Sequence, residues 1–387
     1  MLNPHIRIII GSLEVGGAEL HLAQILPSLA QRGWKITILV LSDKLALKNR
    51  FIHPNISIES ISSTNMKFVA YGNMIKFIKV FLLIRKNFSK DPYALTHFFL
   101  PEAYFIGMLF AKLYGLKGPL IMSRRCLNHY QKRHKILGYF EPFLHKFCDL
   151  ILVNSHAIKN QLILHENVSS KKIQVIHNGI DEYRFLGPIN TTKIKQDLNI
   201  PPKSFIMIVT ANLIPYKGHK DLFDALGMIK GQLGDNWFLI VVGQNRGYLT
   251  SLQIQATHLG IENHILWLPD CHEPFPYLSI ADVGILPSHE EGFSNAILEM
   301  MALGLPVIAT DVGGNPEAVI HNETGVIIPP KDPSALGIAI VSLFQNTAKR
   351  KALGQAGKRR FHKHFTLPEC VQHYEETYRL LNRKKTL

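Results

Sequence analysis

The stretch Val283-Gly284-Ile285-Leu286-Pro287-Ser288-His289-Glu290-Glu291-Gly292-Phe293-Ser294-Asn295-Ala296-Ile297-Leu298-Glu299 reads as a strand, a turn and a helix in succession. Four apolar residues come first. Small and polar residues then turn the chain, and Ala296, Ile297, Met300 and Met301 follow at helical spacing. A strand feeding a helix through a Gly-containing turn aims backbone N–H groups beyond the strand, where they suit a phosphate or a sugar hydroxyl. Glu291 falls at the mouth of that helix, with Gly292, Phe293, Ser294 and Asn295 forming its first turn. Glu299 lies about two turns further on at ~3.6 residues per turn, on roughly the same face. Such a carboxylate pair can accept hydrogen bonds from the hydroxyls of a sugar nucleotide. The plainer alternative is a capping glutamate and an exposed helical one.

The same alternation extends in both directions. Strand patterns at Ile6–Ile10, Lys35–Leu41, Leu120–Met122 and Leu150–Val153 are interleaved with helical ones, such as Ala18–Gln31 closed by Gly33. The second half repeats the scheme with strands at Phe205–Val209, Trp237–Val242, His264–Leu268, Val283–Leu286 and Pro306–Ala309. This is a doubly wound α/β pattern. At 387 residues the chain is long for one core, and two domains of roughly 180–200 residues are expected. Gly187-Pro188 and Pro201-Pro202 punctuate a polar stretch, so residues 1–185 and 204–364 read as the domains, with 186–203 as linker and 365–387 as a terminal helix.

Seven motifs, in order, carry a resemblance. They are Gly16-Gly17-Ala18-Glu19, His97 with Pro101-Glu102, Val153-Asn154-Ser155, and Val175-Ile176-His177-Asn178-Gly179-Ile180-Asp181. Ala211-Asn212-Leu213-Ile214-Pro215-Tyr216-Lys217-Gly218-His219, the glutamate stretch, and Gly304 to Glu317 complete the set. The chain resembles the retaining glycosyltransferases of the family 4-like group, which have the GT-B fold. That resemblance implies two Rossmann-like domains facing across a cleft, the first on the acceptor side and the second binding the nucleotide sugar. It also implies that the C-terminal helix crosses back onto the first domain.

The resemblance assigns roles residue by residue. Lys217 is expected to contact the donor diphosphate, where a fixed cation stabilises charge developing on the leaving oxygen. The family usually adds an arginine five residues earlier; here Asn212 stands in its place, leaving Arg124, Arg125 or Arg246 as substitutes. Glu291 is expected to face the hexose and Glu299 the ribose. His97, at the end of a Tyr93–Thr96 strand pattern, is expected beside the transferred sugar. Gly16 and Gly17 are expected to line the cleft; their spacing from Gly11 departs from the dinucleotide G-x-G-x-x-G fingerprint. No D-x-D occurs, so no metal or other cofactor is expected.

Charge is uneven. Residues 1–185 hold 24 lysines and arginines against 11 acids, whereas residues 186–387 hold 19 against 18. An anionic partner for the first half follows. In the absence of a nucleic-acid motif, a membrane surface is expected rather than a nucleic acid. Two basic segments compete for that role: Met74–Lys90, whose apolar residues nearly encircle the helix and favour packing on the sheet, and Arg124–Lys146 with Arg124, Arg125, Lys132 and Arg133. No run reaches the ~20 apolar residues of a membrane span. The first residues lack the pattern of a signal peptide, and Cys126, Cys148, Cys271 and Cys370 are scattered. A cytoplasmic protein docked on the membrane face is expected, taking a nucleotide-sugar donor and a lipid-linked or saccharide acceptor. A sugar-nucleotide epimerase and a non-catalytic sugar-nucleotide-binding subunit are the other readings.

Overall fold

The computed structural model describes residues 4–61, 69–128, 135–185, 187–269, 271 and 273–386. The chain forms two compact units, Met1–Asn178 with Leu367–Leu387, and Gly179–Thr366. The division at Asn178/Gly179 falls ahead of the expected linker. Much of that linker is ordered within the second unit, where Asn190 caps a short helix, Thr191–Asp197, by accepting from the Lys193 N–H.

The first unit holds β1 (His5–Ile10), β2 (Lys35–Val40), β3 (Ile56–Ser60), β4 (Leu95–Phe99), β5 (Leu120–Arg124), β6 (Leu150–Val153) and β7 (Ile173–Val175). They form a parallel sheet in the order β3-β2-β1-β4-β5-β6-β7. Helices α1 (Gly17–Gln31), α2 (Val69–Lys90), α3 (Pro101–Leu113), α4 (Lys135–Leu144) and α5 (His156–Glu166) connect the strands. Side chains alternate across each strand, so Ile6, Ile8 and Ile10 enter one core layer and Ile9 the other. Burial on both faces explains why these strands read as nearly unbroken apolar runs. The C-terminal helix Leu367–Thr386 packs on α1, where Tyr378 meets Trp34 edge-on at 5.9 Å and the Tyr374 hydroxyl bonds His21 Nε2 at 3.1 Å.

The second unit repeats the plan with β8 (Phe205–Thr210), β9 (Trp237–Val242), β10 (Ile265–Leu268), β11 (Val283–Leu286), β12 (Val307–Thr310) and β13 (Gly325–Ile328), in the order β10-β9-β8-β11-β12-β13. Its helices are α6 (Thr191–Asp197), α7 (His219–Leu233), α8 (Leu249–Leu259), α9 (Phe275–Leu278), α10 (Asn295–Ala302), α11 (Asn315–Ala318), α12 (Pro333–Gln345) and α13 (Thr347–His364). Both units are Rossmann-like, as the alternating pattern predicts.

Candidate functional site

In the second unit the chain runs from β8 outward through β9 and β10, then returns to the opposite side of β8 as β11. The loops leaving β8 and β11 therefore diverge, and the crevice at their carboxyl ends is where open α/β sheets bind ligands. Lys217 ends the short turn Pro215–Lys217 that follows β8, and Glu291 follows β11. Their side chains meet at 2.6 Å from Nζ to Oε1, both mostly buried. Ser288 Oγ donates to the same Glu291 oxygen at 2.8 Å. The Lys217 ammonium also lies 5.6 Å from the Tyr216 ring centroid, and the His289 N–H donates to the Tyr216 carbonyl at 2.7 Å, tying the two loops together.

Two glycines make this approach possible. Gly218 has φ +74°, and a Cβ there would strike the Pro287 carbonyl at the end of β11. Gly313, at φ +53°, would strike the backbone carbonyl of Glu291. Left-handed backbone against a neighbouring carbonyl leaves room for glycine alone. The loops after β8, β11 and β12 thus press on one another around Glu291, with the Gly314 N–H donating to the Gly292 carbonyl at 3.0 Å.

Beyond Glu291 the chain enters α10. Ser294 stands at its N-cap without a side-chain capping bond, and Asn295 is its first residue. The Phe293 side chain turns into the core, 5% exposed and 5.5 Å from the Phe365 ring. Glu299 sits half-buried on α10. Burial pushes its carboxyl up to about 7, opposed by Arg184 and reinforced by Glu273. His219, next to Lys217, is driven down to about 4 by burial and by that lysine, so it stays neutral near pH 7.

Asn212 is exposed in the loop after β8. The neighbouring Leu213 N–H donates to the Gln244 carbonyl at 2.9 Å, and Leu213 bridges Asn245. The exposed Arg246 is thus held on a loop bonded to the one carrying Asn212. Asp221, in the first turn of α7, pairs with His289 Nε2 at 2.7 Å. Asp221 lies outside the sequence motifs, and His289 and Ser288 stand in the glutamate stretch with no role read for them; the fold brings these partners together.

Several expected site residues of the first unit stand elsewhere than anticipated. His97 lies in the middle of β4, fully buried, with Nδ1 bonded to the Tyr378 hydroxyl and Nε2 to Ser123 Oγ, each at 2.8 Å. Burial holds its pKa well below 6.5. A ring with both nitrogens satisfied inside the protein has no group left to offer a sugar, so His97 is a core residue. Arg124 is also buried, donating to Glu141 and Glu166 at 2.8 Å each, while His145 Nε2 bonds Glu166 at 2.9 Å. A guanidinium enclosed by two carboxylates cannot meet an acceptor or a membrane. Arg125 is half-buried, bonded to Asn178 Oδ1 and the Tyr374 hydroxyl. Lys132 and Arg133 lie outside the described residues. Gly16 caps α1 in extended conformation, and Gly17 opens that helix, exposed. The Glu19 carboxylate folds back against Gly16 and is raised by burial.

Residues 190–360 match the family of Glycosyl transferases group 1, and residues 15–184 match Glycosyltransferase Family 4. The chain is 29% identical over 231 residues to N-acetyl-alpha-D-glucosaminyl L-malate synthase of Bacillus anthracis, covering 59% of each chain. It thus spans about three-fifths of that relative's length. It is 22% identical over 322 residues to the capsular polysaccharide biosynthesis glycosyltransferase CapM of Staphylococcus aureus, covering 80% of this chain and 81% of the other. The structure superposes on Anabaena Alr3699/HepE, solved in complex with UDP and glucose, with a TM-score of 0.81 at 22% identity. That likeness covers 96% of this chain and 98% of the other, and it establishes the fold. The two family matches together take in most of the chain, and the switch-point geometry agrees with them: the chain belongs to the family 4, group 1 glycosyltransferases of the GT-B type.

Proposed function

We propose that the protein is a retaining hexosyltransferase, moving a sugar from a nucleotide-sugar donor to a lipid-linked or oligosaccharide acceptor in cell-surface polysaccharide or glycolipid synthesis. The observation that carries this reading is the Lys217–Glu291 pair at the carboxyl ends of β8 and β11. A cation and a carboxylate fixed at a switch point match the two demands of the donor, a diphosphate that gains charge and a hexose that presents hydroxyls. In the transfer, the bond from the anomeric carbon to the diphosphate breaks while the acceptor oxygen bonds to the same face. The acceptor proton passes to the departing phosphate oxygen. Lys217 stabilises that leaving group, Glu291 orients the hexose, and Glu299 accepts from the ribose hydroxyls. Arg246, on the loop bonded to that of Asn212, supplies the second positive charge that Asn212 lacks. With cations of the chain in this role, transfer proceeds without a divalent metal. The basic first half docks on the anionic cytoplasmic membrane face, where a lipid-linked acceptor is presented.

A screen of sugar nucleotides, starting with UDP-sugars because a structural neighbour was solved with UDP and glucose, identifies the donor by thermal stabilisation. Incubation of the radiolabelled donor with extracted lipid then tests the reading. Label appearing in the lipid fraction, with the anomeric configuration kept, is the expected result. A rearranged free sugar nucleotide would assign an epimerase, and binding without turnover a non-catalytic subunit.

A further inference from the structure

The helices on one face of the first unit's sheet leave large apolar side chains in water. Phe77 and Leu82 on α2, Leu109 and Leu113 on α3, and Tyr139 and Phe143 on α4 are all more than half exposed, Tyr139 by 80%. They form one surface. Phe110 of α3 touches Phe77 and Phe81 of α2, at 6.2 and 5.4 Å between ring centroids, and Phe105 of α3 touches Phe140 of α4 at 6.4 Å. Leu109 and Leu113 continue the Phe105 stripe at the four-residue spacing of one helix face. Exposed apolar surface on this scale marks a contact that the isolated chain does not satisfy.

The charges around this surface indicate what covers it. Arg85, Lys86 and Lys90 on α2 and Lys112 on α3 are exposed. Two lysines lie directly over rings of the face, Lys112 Nζ 4.9 Å from Phe147 and Lys146 Nζ 5.5 Å from Phe143. Each ammonium group thus sits against an aromatic ring at the surface, pairing positive charge with apolar area. Glu141, on α4, is buried against Arg124, which leaves Glu102 at the start of α3 as the exposed acid on these helices. Two copies of such a face would bring cations against cations, whereas an anionic leaflet offers both apolar depth and opposite charge. Among the described residues no helix is long and apolar enough to cross a membrane.

We propose that the face made by α2, α3 and α4 seats the protein in the headgroup–acyl boundary of an anionic lipid leaflet, its aromatic and aliphatic side chains entering the bilayer and its lysines meeting the headgroups. This rests on the reading that the acceptor is presented at a membrane. It keeps Tyr139 and Lys146 of the expected Arg124–Lys146 segment, leaves out the buried Arg124, and changes the chemistry from charge alone to charge with insertion. The test is co-sedimentation of the full chain with phosphatidylcholine vesicles, with and without phosphatidylglycerol. It is run at low salt and at ~1 M, where the Debye length falls to about 3 Å. Binding to the anionic vesicles that persists in part at high salt is expected. The combined variant Leu109→Gln, Leu113→Gln, Tyr139→Ser, Phe143→Ser should weaken it about tenfold or more, because binding scales with the apolar area buried. These side chains are exposed, and an unchanged melting curve and nucleotide affinity confirm the variant's fold. In Tyr139→Trp the new indole should shift to the blue on vesicle addition. Equal binding by the fourfold variant, complete loss of wild-type binding at high salt, or a stable dimer that ignores vesicles would each overturn the proposal. Vesicle binding without turnover of any sugar nucleotide would leave this face standing and refute the donor reading instead.

Discussion

Lys217 and Glu291 pair at 2.6 Å, so in the proposed reaction an incoming diphosphate must draw the ammonium from a carboxylate that Ser288 also holds. Lys217→Ala should cut turnover by ~10²–10³-fold, the cost of removing one preorganised stabiliser of developing charge. Arg246→Ala should cost less, and Asn212→Arg in that background should recover the loss; steady-state kinetics with the identified donor checks both. Glu299 carries its own signature. Its carboxyl, raised to about 7 by burial, favours the folded state when protonated. That contribution is fully present below the unfolded value near 4.5 and is lost as pH rises through about 7. Hydrogen bonds from ribose hydroxyls favour the ionised form, so nucleotide affinity should rise with pH through the same window, with proton release on binding. Calorimetry in buffers of different ionisation enthalpy reads that proton, and Glu299→Gln should abolish both effects. Affinity independent of pH in the wild type would remove Glu299 from the ribose site.

At the scale of elements, the buried Arg124 cluster joins β5, α4 and α5, since Glu141 and Glu166 come from the two helices. Arg124→Ala should lower stability by about 3–5 kcal/mol in urea unfolding, because it removes the guanidinium that pairs two buried carboxylates. His97→Phe should cost about 1–3 kcal/mol by removing the buried hydrogen bonds to the Tyr378 and Ser123 hydroxyls, yet leave turnover per folded molecule and its pH profile unchanged. These two residues also mark the limits of what was legible in the sequence. The strand patterns ended at Thr96 and Met122, but β4 runs to Phe99 and β5 to Arg124. Two more residues of alternation put Arg124 on the core face of Met122, and His97 on that of Leu95 and Phe99. Polar residues at a strand's end look like loop residues until their buried partners, here distant in the chain, are known. The central strands and the turn into α10 were readable because both faces are apolar and the glycines fall where loops collide. The edge strands β3, β7 and β13 were missed: β7 has only three residues, and β3 carries Ser57, Glu59 and Ser60 among five.

For the molecule as a whole, the charge difference between the halves sets partner before chemistry: the basic excess lies in residues 1–185, whereas the proposed donor site belongs to the nearly neutral remainder. The two functions should therefore separate. Salt should weaken vesicle binding while nucleotide affinity, governed by a partly buried pair, changes less. Chelator should leave transfer intact if Lys217 and Arg246 do the work of a cation. The Lys217–Glu291 pair is proposed to be a donor site acting on a sugar nucleotide. Its most direct test is single-turnover release of nucleoside diphosphate from the stabilising donor, with lipid acceptor and excess chelator, in wild type and Lys217→Ala. The wild type should release the diphosphate, and the variant should do so ~10²–10³-fold more slowly. Equal rates in the two proteins, or no release by the wild type until a divalent metal is added, would contradict that assignment.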